Sequence, residues 1–341
     1  MTNTRREIFI YADWQEVHGP FLMGVLHADH LKGREVYSFE YEKGWLKSEY
    51  AQILDPDLQL FSGVQYLSNE SKSNFGLFLD SSPDRWGRIL MRRREAAIAR
   101  LEQRQEKNLY ETDYLLGVHD IHRMGGLRFK LDPEGPFLDD KKEMITPPWT
   151  SIRELEEISL KLEEENSRTD PEYLNWINLL LAPGSSLGGA RPKASVADAE
   201  GHLWIAKFPS KLDLDNTGAW EMVAYQLAIN SGINMAVSEA RRFSTDHFTF
   251  LTKRFDRNSA GKRIHFASAM TCLGYIDGMD HHDGISYLNL AEFLSINGAR
   301  PKEDLEELWR RIVFSICVSN TDDHLRNHGF ILTKKGWYNT P

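Results

Sequence analysis

The sequence predicts an α+β protein with a β-rich start, a mixed central region and a helical end. Three observations predict this organisation. Runs of β-forming residues separated by Gly and Pro occupy the N-terminal end. A glycine-rich stretch lies near the centre, between a predicted helix and a predicted β-hairpin. Apolar residues at helical spacing then dominate the C-terminal end.

The N-terminal end predicts strands first and helices afterwards. Residues 7–11, 21–26 and 36–41 are short runs of β-formers and predict three strands. Further along, Ser82 followed by Pro83 is typical of a helix start, with Ser82 as the capping residue. The polar, Pro-rich segment 132–148 predicts a long loop or linker. We therefore expect a first domain over residues 1–148.

The central region predicts an alternation of helices and strands, which we assign to a second domain over residues 149–257. Ser151 and Glu154 have the spacing of a capping box. Periodicity and turn residues predict these elements: helices at 151–165 and 171–181, a hairpin at 194–208, a helix at 218–230 and a strand at 248–252.

The last region, residues 258–341, is predicted to be mostly helical from about Arg263. One helix is expected around residues 290–294, and the clearest one covers residues 303–318. Five apolar residues in that longer helix are spaced for a single buried face: Leu305, Leu308, Ile312, Val313 and Ile316.

Composition and charge narrow the class of protein. Hydrophobic residues make up 41% of the 341 residues, which fits an ordinary soluble protein. The net charge of −9 argues against broad nucleic-acid binding, although it allows a local basic face such as the arginine-rich stretch 88–104. That stretch could bind a nucleic acid or a partner, or could be the solvated face of a helix.

The cellular compartment is predicted from what the sequence contains and lacks. Only Cys272 and Cys317 are present, both in apolar surroundings, which favours reduced, buried thiols. The sequence has no signal-peptide pattern and no apolar stretch long enough to cross a membrane. We therefore expect a cytoplasmic protein that does not contact a membrane.

Asp322 and Asn327 are the first candidates for chemistry. They lie five positions apart, directly after an apolar helix and before a short apolar run. Protein kinases use this spacing to place an Asp against the substrate hydroxyl and an Asn on a magnesium ion. Because Asp and Asn are also common loop residues, the pattern gains weight only from the other parts of such a site upstream.

The glycine-rich stretch 182–194 is a candidate phosphate-binding loop. Its glycines, which include Gly188 and Gly189, would let successive backbone N–H groups approach a phosphate. The stretch matches neither a Walker A loop nor the G-x-G-x-x-G loop of ordinary protein kinases. A plain connection between a helix and a strand remains the alternative.

Lys207 is the candidate for contacting nucleotide phosphates. It lies late in an apolar strand, where its charge needs a partner or a ligand, and Glu221 in the next helix is the expected partner. The alternative is a surface lysine on an edge strand. The segment after strand 248–252, which contains Lys253, Phe255 and Asp256, is expected to bind ATP as the connection between two lobes.

Taken together, these motifs resemble the HipA family of serine/threonine kinases, the toxins of HipBA toxin–antitoxin modules. The resemblance covers nearly the whole chain. It rests on these segments: 79–88 (LDSSPDRWGR), 115–120 (LLGVHD), 124–129 (MGGLRF), 186–193 (SLGGARPK), 205–208 (IAKF), 253–257 (KRFDR) and 321–327 (TDDHLRN).

The resemblance implies a HipA-like bilobal kinase fold, with a β-rich N-terminal subdomain, a kinase-like N-lobe and an all-helical C-lobe. It implies that ATP and Mg²⁺ are the cofactors and that Lys207 contacts ATP. It also implies autophosphorylation of a loop serine, Ser186 or its neighbour Ser185, and an added phosphate there would repel ATP.

The resemblance also implies a catalytic Asp and magnesium ligands. We assign the catalytic role to Asp322 rather than Asp323, because only Asp322 has the five-residue spacing to Asn327. Asn327 would hold magnesium. Relatives supply a second magnesium ligand, an Asp after the catalytic loop, which we expect beyond Pro341. The sequence is accordingly expected to be a fragment with a truncated C-lobe and weak Mg-ATP binding.

By resemblance, the protein is expected to be the toxin of a toxin–antitoxin module. Its target would be a translation factor such as an aminoacyl-tRNA synthetase. Its partner would be a helix-turn-helix antitoxin of the HipB type, through which alone it would meet DNA. Two alternatives stay open: a small-molecule phosphotransferase of kinase-like fold, and a non-catalytic binding partner of a DNA-bound antitoxin.

Overall fold

A computed structural model describes residues 4–140, 146–181 and 189–341. Within these segments the chain forms three separate antiparallel sheets and a set of α-helices. The α+β organisation predicted from the sequence is therefore confirmed. None of the helices in these segments is long and apolar enough to cross a membrane.

The first sheet has the strand order β4–β3–β2–β1–β5. Its strands are β1 (Thr4–Ala12), β2 (Phe21–Leu31), β3 (Arg34–Tyr41), β4 (Val64–Tyr66) and β5 (Leu127–Lys130). Alternate residues such as Ile8, Ile10 and Leu26 are fully buried, as expected when one face of an antiparallel sheet covers a core. The three predicted strands are confirmed as the central members of this sheet.

The helices of the N-terminal region are α1 (Lys43–Leu46), α2 (Gly76–Leu79), α3 (Arg85–Leu101) and α4 (Glu111–Leu116). The predicted cap of α3 was wrong by two residues. Asp84 caps this helix, since its carboxylate accepts a hydrogen bond of 2.8 Å from the Gly87 N–H. The Ser82 hydroxyl instead donates to the Phe78 carbonyl at 3.0 Å, at the end of α2.

The second sheet has the order β6–β7–β9–β8. Its elements and neighbouring helices are α5 (Ile152–Leu162), α6 (Tyr173–Leu181), β6 (Lys193–Ala197), β7 (Leu203–Lys207), α7 (Thr217–Asn230), β8 (Ser238–Arg241) and β9 (Thr249–Lys253). The predicted hairpin is confirmed, and its turn uses Gly201 at a φ of +82°. The capping box at Ser151 is wrong, because this residue has helical backbone angles and makes no side-chain cap bond.

The C-terminal region contradicts the predicted all-helical C-lobe. Besides α8 (Ala269–Cys272), α9 (Tyr287–Asn297) and α10 (Pro301–Cys317), it holds a third sheet of β10 (Phe266–Ser268), β11 (Gly329–Thr333) and β12 (Gly336–Asn339). The apolar run of β11 is short and buried, and such a run cannot be assigned to a helix or a strand by periodicity alone.

Helix α10 is confirmed, but only part of its predicted apolar face is buried. Leu308 is 4% exposed, while Val313 and Ile316 are 37% and 71% exposed. Helix α10 packs on α9 and β12. Leu305, Leu308 and Ile312 contribute to the hydrophobic core at this contact. Cys317 is exposed, against the expectation of a buried thiol, whereas burial raises the pKa of the Cys272 thiol.

Two hydrophobic cores join segments that are far apart in sequence. One core combines the first sheet with residues of the C-terminal region such as Leu290, Phe330 and Trp337. The other combines the second sheet and helices α5 and α6 with Trp86 and Leu90 of α3. The N-terminal region thus packs against both later regions, while the division at residues 148 and 257 stays a prediction.

A buried ion-pair network fastens the segment after β9 to the N-terminal region. Asp256 is fully buried and pairs at 2.6 Å with both Arg254 and Arg257. Gly125 N–H donates to Asp256 at 2.9 Å, and the Arg254 guanidinium donates to the His122 carbonyl at 2.7 Å. Burial alone would raise the pKa of Asp256, but the two arginines outweigh it and hold that pKa well below its usual range.

Replacing Asp256 by Asn is expected to destabilise the protein strongly. The substitution leaves two buried guanidinium groups without their counter-charge, which costs about 3–5 kcal/mol in comparable networks. The free energy of unfolding in urea measures the effect. Asp29→Asn is the matched control, since it breaks the exposed pair with Arg5 and should cost about 1 kcal/mol or less. Equal losses from both variants would contradict this account of Asp256.

Candidate active site

One pocket, called the cleft below, is lined by five of the eight predicted site residues that the structure describes. It has a volume of about 390 Å³ and lies where the second sheet, the third sheet and the N-terminal helices meet. Its lining residues are Leu79, Asp80, Ser82, Pro83, Asp84, Arg88, Gly189, Ile205, Lys207, Thr252, Phe255, Phe266, Ser268, Met270, Asp322, His324, Arg326 and Asn327.

Lys207 reaches the cleft from the second sheet. Its strand β7 pairs with β6 on one side and β9 on the other, so the alternative of an edge-strand lysine is wrong. The Lys207 ammonium lies 2.5 Å from the Glu221 carboxylate on α7. Both side chains are partly accessible to solvent, which leaves the ammonium able to meet a ligand as well as its partner.

Asp322 and Asn327 lie together in the loop between α10 and β11. The Asp322 carboxylate is 87% exposed, and the His324 ring lies 3.6 Å from it. The Asn327 side-chain amide donates to the Asp322 carbonyl, and the Asn327 backbone N–H donates to the His324 carbonyl at 2.8 Å. These bonds close a tight loop that brings both side chains to the same side of the cleft.

Asp323 has a different environment from its neighbour. The Tyr287 hydroxyl donates to it at 2.7 Å, and the His328 ring lies 2.9 Å away. Burial acts to raise the pKa of Asp323, but the contacts from His328 and Tyr287 prevail and lower it to about 2. Asp323 therefore anchors the loop, while Asp322 offers an accessible carboxylate to the cleft.

A buried ion pair fixes the end of the glycine-rich stretch. The Lys193 ammonium lies 2.8 Å from the Asp84 carboxylate and donates to the Gly189 carbonyl at 3.0 Å; both charged side chains are 3% exposed. Burial raises the pKa of Asp84 and lowers that of Lys193, and the opposite charge of each partner counteracts both shifts. Because Asp84 also caps α3, helix, ion pair and loop end form one unit.

The cleft combines an apolar wall with polar ends. Ile205, Phe255, Phe266 and Met270 provide flat or flexible apolar surface. Lys207, Arg326 and the Asp322–Asn327 loop provide charge at the other side of the same pocket. An apolar surface next to convergent charged groups suits a ligand with an aromatic part and an anionic part.

Oxygen ligands for a divalent cation are present in the cleft. Magnesium prefers carboxylate and amide oxygens. The Asp322 carboxylate is accessible to solvent. The Asn327 amide N–H donates to the loop backbone, so the amide oxygen remains available to a ligand. Asp80, which accepts a hydrogen bond from Ser268 N–H at 2.7 Å, adds a further carboxylate to the lining. These donors fit a magnesium ion.

Three of the described residues expected to bind ATP do not line the cleft: Glu221, which pairs with Lys207, and Lys253 and Asp256. Lys253 lines another pocket together with Arg254 and Arg257. Because successive strand residues face opposite sides, Thr252 points to the cleft and Lys253 does not. Asp256 is buried in its ion-pair network. Ser185, Ser186 and Gly188 lie outside the described residues.

Sequence reasoning assigned no role to several residues that line the cleft. Asp84 and Arg88 belong to the segment 79–88, and His324 and Arg326 lie inside the Asp322–Asn327 loop. The motifs that contain them were recognised, so position within a motif was the available signal. Tertiary packing decides which residues of these two motifs face the cleft, and periodicity alone does not predict that packing.

The model of the HipA-like C-terminal domain family matches residues 185–341. The C-terminal part of the chain is thus similar to the HipA-like C-terminal domain. The matched part contains Lys207, Glu221, Asp322 and Asn327, and it begins at Ser185. The recognition of a HipA-type protein from its sequence motifs is therefore confirmed.

Two known proteins extend this finding. A chain of the Shewanella oneidensis MR-1 toxin–antitoxin complex of HipA, HipB and operator DNA matches with a TM-score of 0.63 and 19% identity, over 98% of this chain and 74% of that chain. The HipA-like fold is thus confirmed over nearly the whole described chain. A Haemophilus influenzae protein named "Putative kinase" is 25% identical over 167 residues, 44% of this chain and 49% of that protein. The chain thus spans about half the length of this relative.

Replacing Asp84 by Asn in this HipA-like chain should weaken both the fold and nucleotide binding. The variant removes the carboxylate that pairs with the buried Lys193 ammonium, and breaking such a pair costs about 3–5 kcal/mol of unfolding free energy. Urea unfolding and calorimetric titration with ATP measure the two effects. Glu164→Gln, which breaks an exposed pair with Lys211, is the control.

The double variant Asp84→Asn/Lys193→Met should recover most of the lost stability, because it removes the buried charge as well. Its ATP affinity should stay low, since the Gly189 carbonyl has lost the lysine bond. The role given to the ion pair would be contradicted if the double variant did not recover stability.

Proposed function

We propose that the chain binds ATP with magnesium and transfers the γ-phosphoryl group to a serine or threonine hydroxyl of a protein. One observation carries this proposal. Lys207 of the second sheet, paired with Glu221, lines the same cleft as the Asp322–Asn327 loop between α10 and β11. A strand lysine held by a helix glutamate, opposite an aspartate five residues before an asparagine, is the arrangement that protein kinases use.

The proposed chemistry is an in-line displacement at phosphorus. The substrate hydroxyl oxygen forms a bond to the γ-phosphorus, and the bond from that phosphorus to the β–γ bridging oxygen breaks, so ADP leaves. Asp322 orients the hydroxyl and accepts its proton. Lys207 neutralises charge on the phosphates, and Glu221 holds the lysine in position. Asn327 would hold the magnesium ion, which neutralises phosphate charge when bound.

Control of the activity is proposed to lie in the glycine-rich stretch. Phosphorylation of Ser186, or of its neighbour Ser185, would add a dianion beside Gly189, whose carbonyl is tied to Lys193. A second dianion next to the triphosphate of ATP would repel the nucleotide. Autophosphorylation at this place would therefore switch the protein off.

The cellular role we propose is that of a toxin in a toxin–antitoxin module. The matched complex contains HipA, HipB and operator DNA, which supports a helix-turn-helix antitoxin of the HipB type as partner. Contact with DNA would then be indirect, in keeping with the net charge of −9. We propose a translation-related substrate such as an aminoacyl-tRNA synthetase, in the cytoplasm.

Asp322→Asn should abolish phosphoryl transfer while the fold persists. The amide keeps the size of the side chain but cannot accept the proton, and removal of such a group typically costs about 10³-fold or more in kcat. Transfer of labelled phosphate from Mg-ATP to proteins of a dialysed lysate measures it. Asp140→Asn, at an exposed loop carboxylate outside the cleft, is the control. Retained transfer in Asp322→Asn would refute the role of this residue.

Incubation with Mg-ATP should add one phosphate to the glycine-rich stretch. Mass spectrometry of the digested protein is expected to place it on Ser186 or Ser185, and single Ser→Ala variants distinguish the two. Asp322→Asn should remain unmodified under the same conditions. Turnover of a small alcohol without any phosphorylation of protein would instead identify a metabolite phosphotransferase.

A further inference from the structure

A second pocket, called the arginine pocket below, opens beside the cleft. It has a volume of about 360 Å³ and is formed by α3, the segment before α2 and the segment after α8. It shares four lining residues with the cleft: Leu79, Arg88, Met270 and Arg326. A ligand that reaches the Asp322 loop can therefore continue into this pocket without leaving the protein surface.

Cationic side chains dominate the arginine pocket. Arg85, Arg88 and Arg92 are spaced i, i+3 and i+7 along α3, so they lie on one face of the helix. Lys72 and Arg326 join them from other segments. The lining contains five cationic side chains and three carboxylates, in a chain whose net charge is −9. The lining of the arginine pocket is thus net positive, although the whole chain is net negative.

The three carboxylates are already engaged within the protein. Glu111 forms a two-pronged pair with Arg88 at 2.6 and 2.7 Å. Asp55 accepts bonds from the backbone N–H groups of Asp57 and Leu77, both at 2.9 Å. Asp277 lies 3.5 Å from Arg326. They shape the pocket and do not neutralise its remaining cations.

Arg85 and Arg92 are the cations left over for a ligand. Both are exposed, and neither has a carboxylate within salt-bridge distance among the described residues. Arg88 stands between them on the helix face and is held by Glu111. Guanidinium groups present planar donors that suit carboxylates and phosphates. Two such groups on either side of a fixed arginine form a receptor for an anion.

We propose that the arginine pocket binds an anionic side chain of the protein substrate, next to the hydroxyl that is phosphorylated. This inference rests on the proposed kinase function and adds a substrate preference to it. Arg326 links the two sites, because it lies inside the Asp322–Asn327 loop and lines both pockets. A peptide with its serine at Asp322 would place a neighbouring residue against the arginines.

A nucleic acid fits this pocket less well than a peptide. The pocket is a cavity with carboxylates in its wall, whereas a nucleic-acid backbone needs an extended basic surface. The anion on the peptide can be a carboxylate of Asp or Glu, or the phosphate of a residue phosphorylated earlier. Both offer oxygens to guanidinium groups, and the experiment separates them.

Fluorescence anisotropy with short labelled peptides tests the proposal without requiring catalysis. Each peptide carries one serine, flanked by Glu in the first peptide, by phosphoserine in the second and by Gln in the third. Binding is measured to the full chain with a non-hydrolysable ATP analogue present, and ATP-analogue binding is measured separately by calorimetry. Loss of nucleotide binding would count against the proposed function, while the peptide readout reports on the pocket alone.

The Glu or the phosphoserine peptide should bind about tenfold more tightly than the Gln peptide, as expected for two partly exposed charge pairs. Whichever of these two peptides binds more tightly identifies the anion as a carboxylate or a phosphate. In Arg85→Ala/Arg92→Ala this preference should fall to about twofold or less. Arg153→Ala removes an exposed arginine of α5 that does not line the pocket, and should keep the preference.

Three outcomes would overturn the proposal. Equal binding of all three peptides would do so, and so would a preference that survives the loss of both arginines. A short single-stranded RNA that binds in an Arg85- and Arg92-dependent way, while the anionic peptides do not, would assign the pocket to a nucleic acid instead.

Discussion

The buried ion pair between Asp84 and Lys193 is the contact on which the site depends. It joins the first turn of α3 to the first residue of β6, and through the Gly189 carbonyl it fixes where the glycine-rich stretch ends. Both charged side chains are 3% exposed. Burial removes the hydration of each charge, and the opposite charge of the partner compensates for that loss. The N-terminal region therefore takes part in positioning a loop that belongs to the matched C-terminal domain.

The two hydrophobic cores extend this dependence to the whole chain. Trp86 and Leu90 of α3 lie in the core of the second sheet, while the first sheet shares its core with Phe330 and Trp337. The cleft lies between these cores, and its lining comes from all three regions. The N-terminal region contributes Asp80, Asp84 and Arg88 to this shared lining.

Much of the fold was predictable because local signals agreed with the tertiary structure. The hairpin around Gly201, helix α7 and the three central strands of the first sheet followed from periodicity and turn residues. The third sheet was missed, since the short buried run of β11 carries no periodicity. Lys207, Asp322 and Asn327 line one cleft, as their sequence motifs predicted. Lys253 and Asp256 do not line it, because strand alternation and burial in an ion-pair network decide where those side chains point.

The network around Asp256 has a mechanical consequence. Residues 254–257 follow directly after β9, where a two-lobed kinase would have its flexible connection. Here Arg254 and Arg257 donate to the backbone carbonyls of residues 121–123, and Gly125 N–H closes the network from the same side. A segment held by these hydrogen bonds cannot rotate freely relative to the N-terminal region. Rotation of the second sheet against the N-terminal region about residues 254–257 would first have to break these buried hydrogen bonds.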